Sequence, residues 1–193
     1  MGDPKEVQVD AIIAMLRPQS LTPYLIDGND RIFLPLNSVF CDAIVDTLRF
    51  DQSKIKYIPV PDENKGDVRF NGIIAVADDN PSVSYFDLIT DSIEYADEIG
   101  LSSVCITIPR THNVEVPNLK SGIFDFFDPD SVVCNSKSEA IKKTAKAVSF
   151  YFVCENLNNI KMVMVLTQNQ REFDMFVDEF FYELDSSTKT RSA

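Results

Sequence analysis

Asp30-Arg31-Ile32-Phe33-Leu34-Pro35-Leu36-Asn37-Ser38 is an apolar run that closes on an amide and leads into Val39-Phe40-Cys41-Asp42-Ala43-Ile44-Val45. Apolar residues at 39, 40, 44, 45 and 48 follow a helical period, so the pair predicts a strand over 32–34 and a helix over 38–49. Asn37 then stands near a strand's carboxyl end, where open α/β sheets hold their ligands. A second use of Asn37, or of Ser38, is to cap the helix.

Working outward, Tyr24-Leu25-Ile26 and Ile32-Phe33-Leu34 flank the polar turn Asp27-Gly28-Asn29-Asp30 and read as two strands. Residues 7–17 fit a short helix or an opening strand, ended by Pro18. Residues 55–60 predict an edge strand, because Pro59 has no N–H for a ladder. Residues 70–77 predict a buried strand, stopped at Asp78-Asp79-Asn80-Pro81. A helix is expected from Ser82, with Phe86, Ile89, Ile93, Tyr95, Ala96 and Ile99 as its apolar face and Gly100 as its end. Residues 103–108 and 161–166 predict interior strands, and 138–156 and 172–184 predict helices. Residues 109–135 carry no period. Alternating strands and helices with continuously apolar strands predict a three-layer α/β/α sandwich around a mixed, mostly parallel sheet. The expected organisation is an N-terminal segment over 1–19 that packs on one domain over 20–184, with a mobile polar tail over 185–193.

The chain of 193 residues is long enough for a substantial core, and its apolar share of 45% with 25% charged residues is that of a globular protein. A net charge of −12 argues against general nucleic-acid binding, which needs a basic face. Acidity suits a protein partner with a basic surface instead. The four cysteines form no CxxC pair and read as buried structural thiols. With His112 the only histidine, no zinc site is expected. His112 is read as a loop residue because no catalytic partner stands at recognisable spacing. No P-loop, Rossmann glycine pattern or nucleophile elbow is present. The N-terminus lacks a signal peptide and no apolar run reaches membrane-spanning length, so an intracellular setting, cytoplasmic or nuclear, is expected.

Two stretches carry a family resemblance. Ser92-Ile93-Glu94-Tyr95-Ala96, Gly100 and Ser102-Ser103-Val104-Cys105-Ile106-Thr107-Ile108-Pro109 resemble the helix, glycine and "SIAFP" strand of the macro domain, the α/β/α module that binds ADP-ribose. Asp30 to Ser38 is similar to that family's string "vDaIVNaANs", keeping Asp30, Ile32, Asn37 and Ser38. Leu119-Lys120-Ser121-Gly122-Ile123-Phe124-Asp125 resembles its phosphate loop, in which consecutive N–H groups cradle a diphosphate. The resemblance implies that Asn37 contacts the distal ribose, that Asp27 accepts from the adenine amino group, and that Ser121, Gly122, Ile123 and Phe124 hold the phosphates.

Two departures stand against catalysis. Val39-Phe40-Cys41 occupies the place of a glycine-rich turn, where bulk crowds the distal ribose. Asp125 replaces the second glycine of the phosphate loop. The expectation is a divergent macro-like binding module for ADP-ribose or a related nucleotide, with no catalytic residue assigned and no cofactor or metal. Its rivals are an interaction or scaffold domain that has lost the nucleotide, and an ADP-ribosyl hydrolase.

Overall fold

The computed structural model describes residues 6–16, 55–62, 65–66, 68–77, 84–108, 137–154, 157–167 and 169–191. Five strands form one sheet: β1 (Ala11–Leu16), β2 (Ile55–Pro59), β3 (Gly72–Ala77), β4 (Ser103–Thr107) and β5 (Met162–Leu166). Their spatial order is β2-β3-β1-β4-β5. β1 lies at the centre and runs parallel to β3 and β4, with Ile12 opposite both Ile73 and Cys105. β5 runs parallel to β4, and β2 runs antiparallel to β3. The sheet is therefore mixed and mostly parallel, and Pro59 lies in a strand at its edge as its missing donor requires.

Alternation along each strand builds two cores. Ile12, Ala14, Ile73, Ala75 and Cys105 point to one face with Val9, Val60, Val68 and Phe70. Ala11, Ile13, Ile74, Val76, Val104 and Ile106 point to the other. The second face is covered by α1 (Tyr85–Glu98), α2 (Lys137–Cys154) and α3 (Gln170–Arg191), through Leu88, Ile89, Ile93, Ile141, Val148, Phe176 and Phe180. Fully burying an isoleucine such as Ile13 or Ile106 contributes roughly 1.5–3 kcal/mol. The first face is buried as well, and the helix expected over 38–49 lies outside the described residues. The architecture is an α/β sandwich.

Local chemistry sets the ends of α1. Ser84 is its N-cap: its hydroxyl accepts from the Asp87 N–H at 3.2 Å and donates to the Asp87 carboxylate at 2.7 Å. At the other end Gly100 has φ of 82°. Its N–H donates to Asp97 O at 3.0 Å while the Leu101 N–H donates to Ala96 O at 3.0 Å. This pair of bonds is the Schellman ending that left-handed glycine permits.

Two boundaries differ from the sequence expectation. Residues 11–16, expected within a segment packing on the domain, are the middle strand of the sheet, because Ile12 and Ile13 each have a buried face to fill. Residues 185–191, expected as a mobile tail, continue α3 to Arg191. There the Ser186 and Ser187 hydroxyls donate to the carbonyls of Tyr182 and Glu183, four residues back, a pattern that fits helix.

Candidate functional site at the carboxyl edge of the sheet

Two acidic groups at the amino ends of the parallel strands act as staples. Asp10 Oδ2 accepts from the Ser102 N–H at 2.8 Å, the Ser102 hydroxyl at 2.6 Å and the Ser103 N–H at 3.0 Å. Its Oδ1 accepts from the Asn71 side-chain amide at 3.3 Å. Asp10 thus ties the start of β1 to the approaches of β3 and β4. The hydroxyl of Ser102 foremost, and then the two N–H groups, hold its carboxyl below the ordinary carboxylate range against the opposing effect of burial.

Asp97, near the end of α1, accepts from three successive N–H groups: Asn158 at 3.0 Å, Asn159 at 2.6 Å and Ile160 at 2.9 Å. Burial pushes this carboxyl up, but the three backbone donors outweigh it and the pKa lies below the ordinary value. The Asn159 side chain also donates to Asp97 O at 2.8 Å. Both acids have their acceptors filled by the protein itself, so their part is structural.

The carboxyl edge is arranged differently. From β1 the chain passes to β2 and β3 on one side of the sheet, then returns to β4 and β5 on the other. The connections lead to opposite sides of the sheet from the parallel neighbours β1 and β4, which makes their carboxyl ends the topological switch point, where open α/β sheets place ligands. α1, α2 and α3 each follow the carboxyl end of a parallel strand, so their N-termini and positive dipole ends lie toward this edge. Thr107 and Thr167 are buried polar residues there, with the Thr107 hydroxyl 3.5 Å from Ile13 O. Asn169 and Glu172 cap α3: the Glu172 N–H donates to Asn169 Oδ1 at 3.0 Å, and the Asn169 amide donates to Glu172 Oε1 at 3.2 Å.

The six residues expected to contact a ligand lie outside the described residues. Asp27 and Asn37 belong to the segment 17–54 that leaves β1 at this edge, and Ser121, Gly122, Ile123 and Phe124 to the segment 109–136 that leaves β4 there. His112 also lies outside. Among the described residues no group of three His, Cys, Asp or Glu side chains could hold a metal ion, and no helix is long and apolar enough to cross a membrane. Cys105 is buried, and burial pushes its thiol up to about 12, which leaves it inert as a nucleophile.

One signal was missed by the sequence reading. Val9-Asp10-Ala11-Ile12-Ile13 matches the start of the string "vDaIVNaANs" as well as Asp30 to Phe33 does, and it is this stretch that enters the central strand. In that register Ala14 and Arg17 stand where the string has its two asparagines. The pattern Val-Asp-Ala-Ile-Ile is legible in the sequence, but residues 7–17 fit either a short helix or a strand until pairing with β3 and β4 decides.

No family model and no curated protein matches the chain. Solved structures do. The macrodomain of Oceanobacillus iheyensis with MES bound is similar at a TM-score of 0.58 and 13% identity, over 96% of this chain and 90% of that one. The same macrodomain with ADP gives 0.51 and 12%, over 96% and 90%. The macrodomain of Trypanosoma brucei gives 0.52 and 10%, over 92% of this chain and 63% of that one. At these identities the likeness is one of backbone, and it spans nearly the whole chain: the protein has a macrodomain-like fold.

Proposed function

We infer that this macro-like domain is a binding module for ADP-ribose or a related nucleotide, without efficient catalysis. The observation that carries the inference is the switch point between β1 and β4. The two segments that leave the sheet there are the ones holding Asp27 with Asn37 and Ser121 to Phe124. A macrodomain of the same fold has been solved with ADP, which supports a nucleotide of this kind as the ligand. Three helix N-termini facing that edge favour an anionic diphosphate.

Weak or absent turnover follows from the residues available. In the register that sets Asp10 at the string's aspartate, Ala14 and Arg17 stand where the string has its asparagines, and neither side chain has an amide to offer a ribose. Asn37 is the residue we assign to an amide contact.

Isothermal titration with ADP-ribose tests the inference. Saturable heat from the intact chain, lost in Gly122→Val, is the expected result. No heat at millimolar ligand removes nucleotide recognition. Turnover of an ADP-ribosylated protein, abolished by Asn37→Ala, would replace the binding module with a hydrolase.

A further inference from the structure

α3 carries two apolar stripes where packing on the sheet needs one. Met175, Phe176 and Phe180 pack against the core. Phe173, Val177, Phe181 and Leu184 recur at helical spacing along an adjacent stripe, and Phe173 is 49% exposed and Phe181 59%. Phe152 of α2, itself 64% exposed, joins them: its ring meets Phe180 edge to face at 5.4 Å, and Phe180 meets Phe181 at 5.6 Å. Scattered apolar side chains on a surface are ordinary, but large aromatics in contact along one helix are not.

The border of this ridge is acidic. Asp174 and Asp178 follow Phe173 and Val177 by one position each, which sets them along one side of the stripe, and both are exposed. Over 170–184 the helix also has Glu172, Glu179 and Glu183 against the single base Arg171. Glu179 is partly answered by Lys142 at 3.7 Å.

We propose that the ridge formed by Phe152, Phe173 and Phe181, with its aspartate border, docks a basic amphipathic helix of a protein partner. An apolar groove-filling face with lysines or arginines along its margin matches both features at once. A second copy of this chain matches only the first, since its own Asp174 and Asp178 would meet like charges in a protein already at −12. The proposal does not depend on nucleotide binding.

Fluorescence anisotropy with two labelled synthetic helices tests it, one of leucine and lysine and one of leucine and glutamate in the same pattern. The lysine peptide is expected to bind the intact chain and to weaken as salt rises. Its affinity should fall roughly tenfold or more, which is about 1.4 kcal/mol, in Phe173→Ser/Phe181→Ser and in Asp174→Lys/Asp178→Lys. The charge-reversed variant should gain affinity for the glutamate peptide. Phe150→Ser, at an exposed aromatic of α2 that contacts Phe86 and Tyr151, should leave binding unchanged. The aspartate variant alters only exposed side chains, and circular dichroism checks that both double variants fold. Equal binding of the two peptides, or undiminished binding of the lysine peptide by the charge-reversed variant, overturns the proposal. So does a concentration-dependent dimer in sedimentation that Phe173→Ser/Phe181→Ser abolishes, which would make a second copy the occupant.

Discussion

Asp97 shows how one side chain joins elements far apart in sequence. Its carboxylate gathers the N–H groups of residues 158 to 160, and so pins the end of α1 to the entry of β5. Hydrogen bonds to a charged acceptor are worth about 1.5–3 kcal/mol. Asp97→Asn, which turns an amide donor toward N–H donors, is expected to cost about 2 kcal/mol in urea unfolding at neutral pH. The same group, with Asp10, sets a pH dependence. Both folded carboxyls titrate below the ordinary value of 3.8, so the unfolded chain binds more protons as pH falls into that region. Their stabilisation is complete above that value and is lost as pH drops from there through the lower folded values. Melting temperature should fall steeply below about pH 4, and Asp10→Asn/Asp97→Asn should flatten that fall. An unchanged acid limb in the double variant would show that other carboxylates govern it.

At the scale of the element, Gly72 at the start of β3 is fixed by its neighbour. A Cβ added there would run into the ring of Tyr57 on β2, so the ring lies over a position that has no side chain. Gly72→Ala is expected to destabilise by about 1–3 kcal/mol, the usual cost of forcing bulk into a packed site. Thermal unfolding of Gly72→Ala in a Tyr57→Ala background should show most of that cost removed; an equal cost in both backgrounds would place the strain elsewhere. Elements with strong periods were readable from sequence. α1 buries Ile89, Ile93 and Ala96 of the expected face, while Phe86 and Tyr95 are half-buried, Ile99 faces solvent, and Tyr85, Leu88 and Ser92 are buried in addition. Pro59 marked an edge strand and Gly100 a helix end, each for a backbone reason independent of context. β1 was harder, because six residues ending near a proline fit either period. What decides it is pairing with β3 and β4, distant in sequence. The second stripe of α3 was hidden for a similar reason: a helical period announces an apolar face, but two adjoining faces read as one broad one until packing divides them.

For the whole molecule, strand order carries the functional argument. Sequence predicted the α/β layers from alternation, and the backbone likeness to macrodomains covers nearly the full chain at about one residue in eight identical. That combination is what core patterning without retained surface chemistry produces: many apolar sequences fill the same sandwich, while a ligand site tolerates few. The candidate site was legible only as strings, Asp27 and Asn37 in one segment and Ser121 to Phe124 in another. The segments that hold them follow β1 and β4, the two strands between which the strand order switches from one side of the sheet to the other, a property of topology that no local window of sequence contains. The amide spectrum of isotope-labelled protein titrated with ADP-ribose tests this directly. Shifts should gather at Leu16, Thr107, Ile108 and Thr167 and in the segments that follow β1 and β4, with Asn71, Ser102 and Asn159 at the opposite end unmoved. A spectrum unchanged at millimolar ligand, or shifts confined to that opposite end, would contradict it.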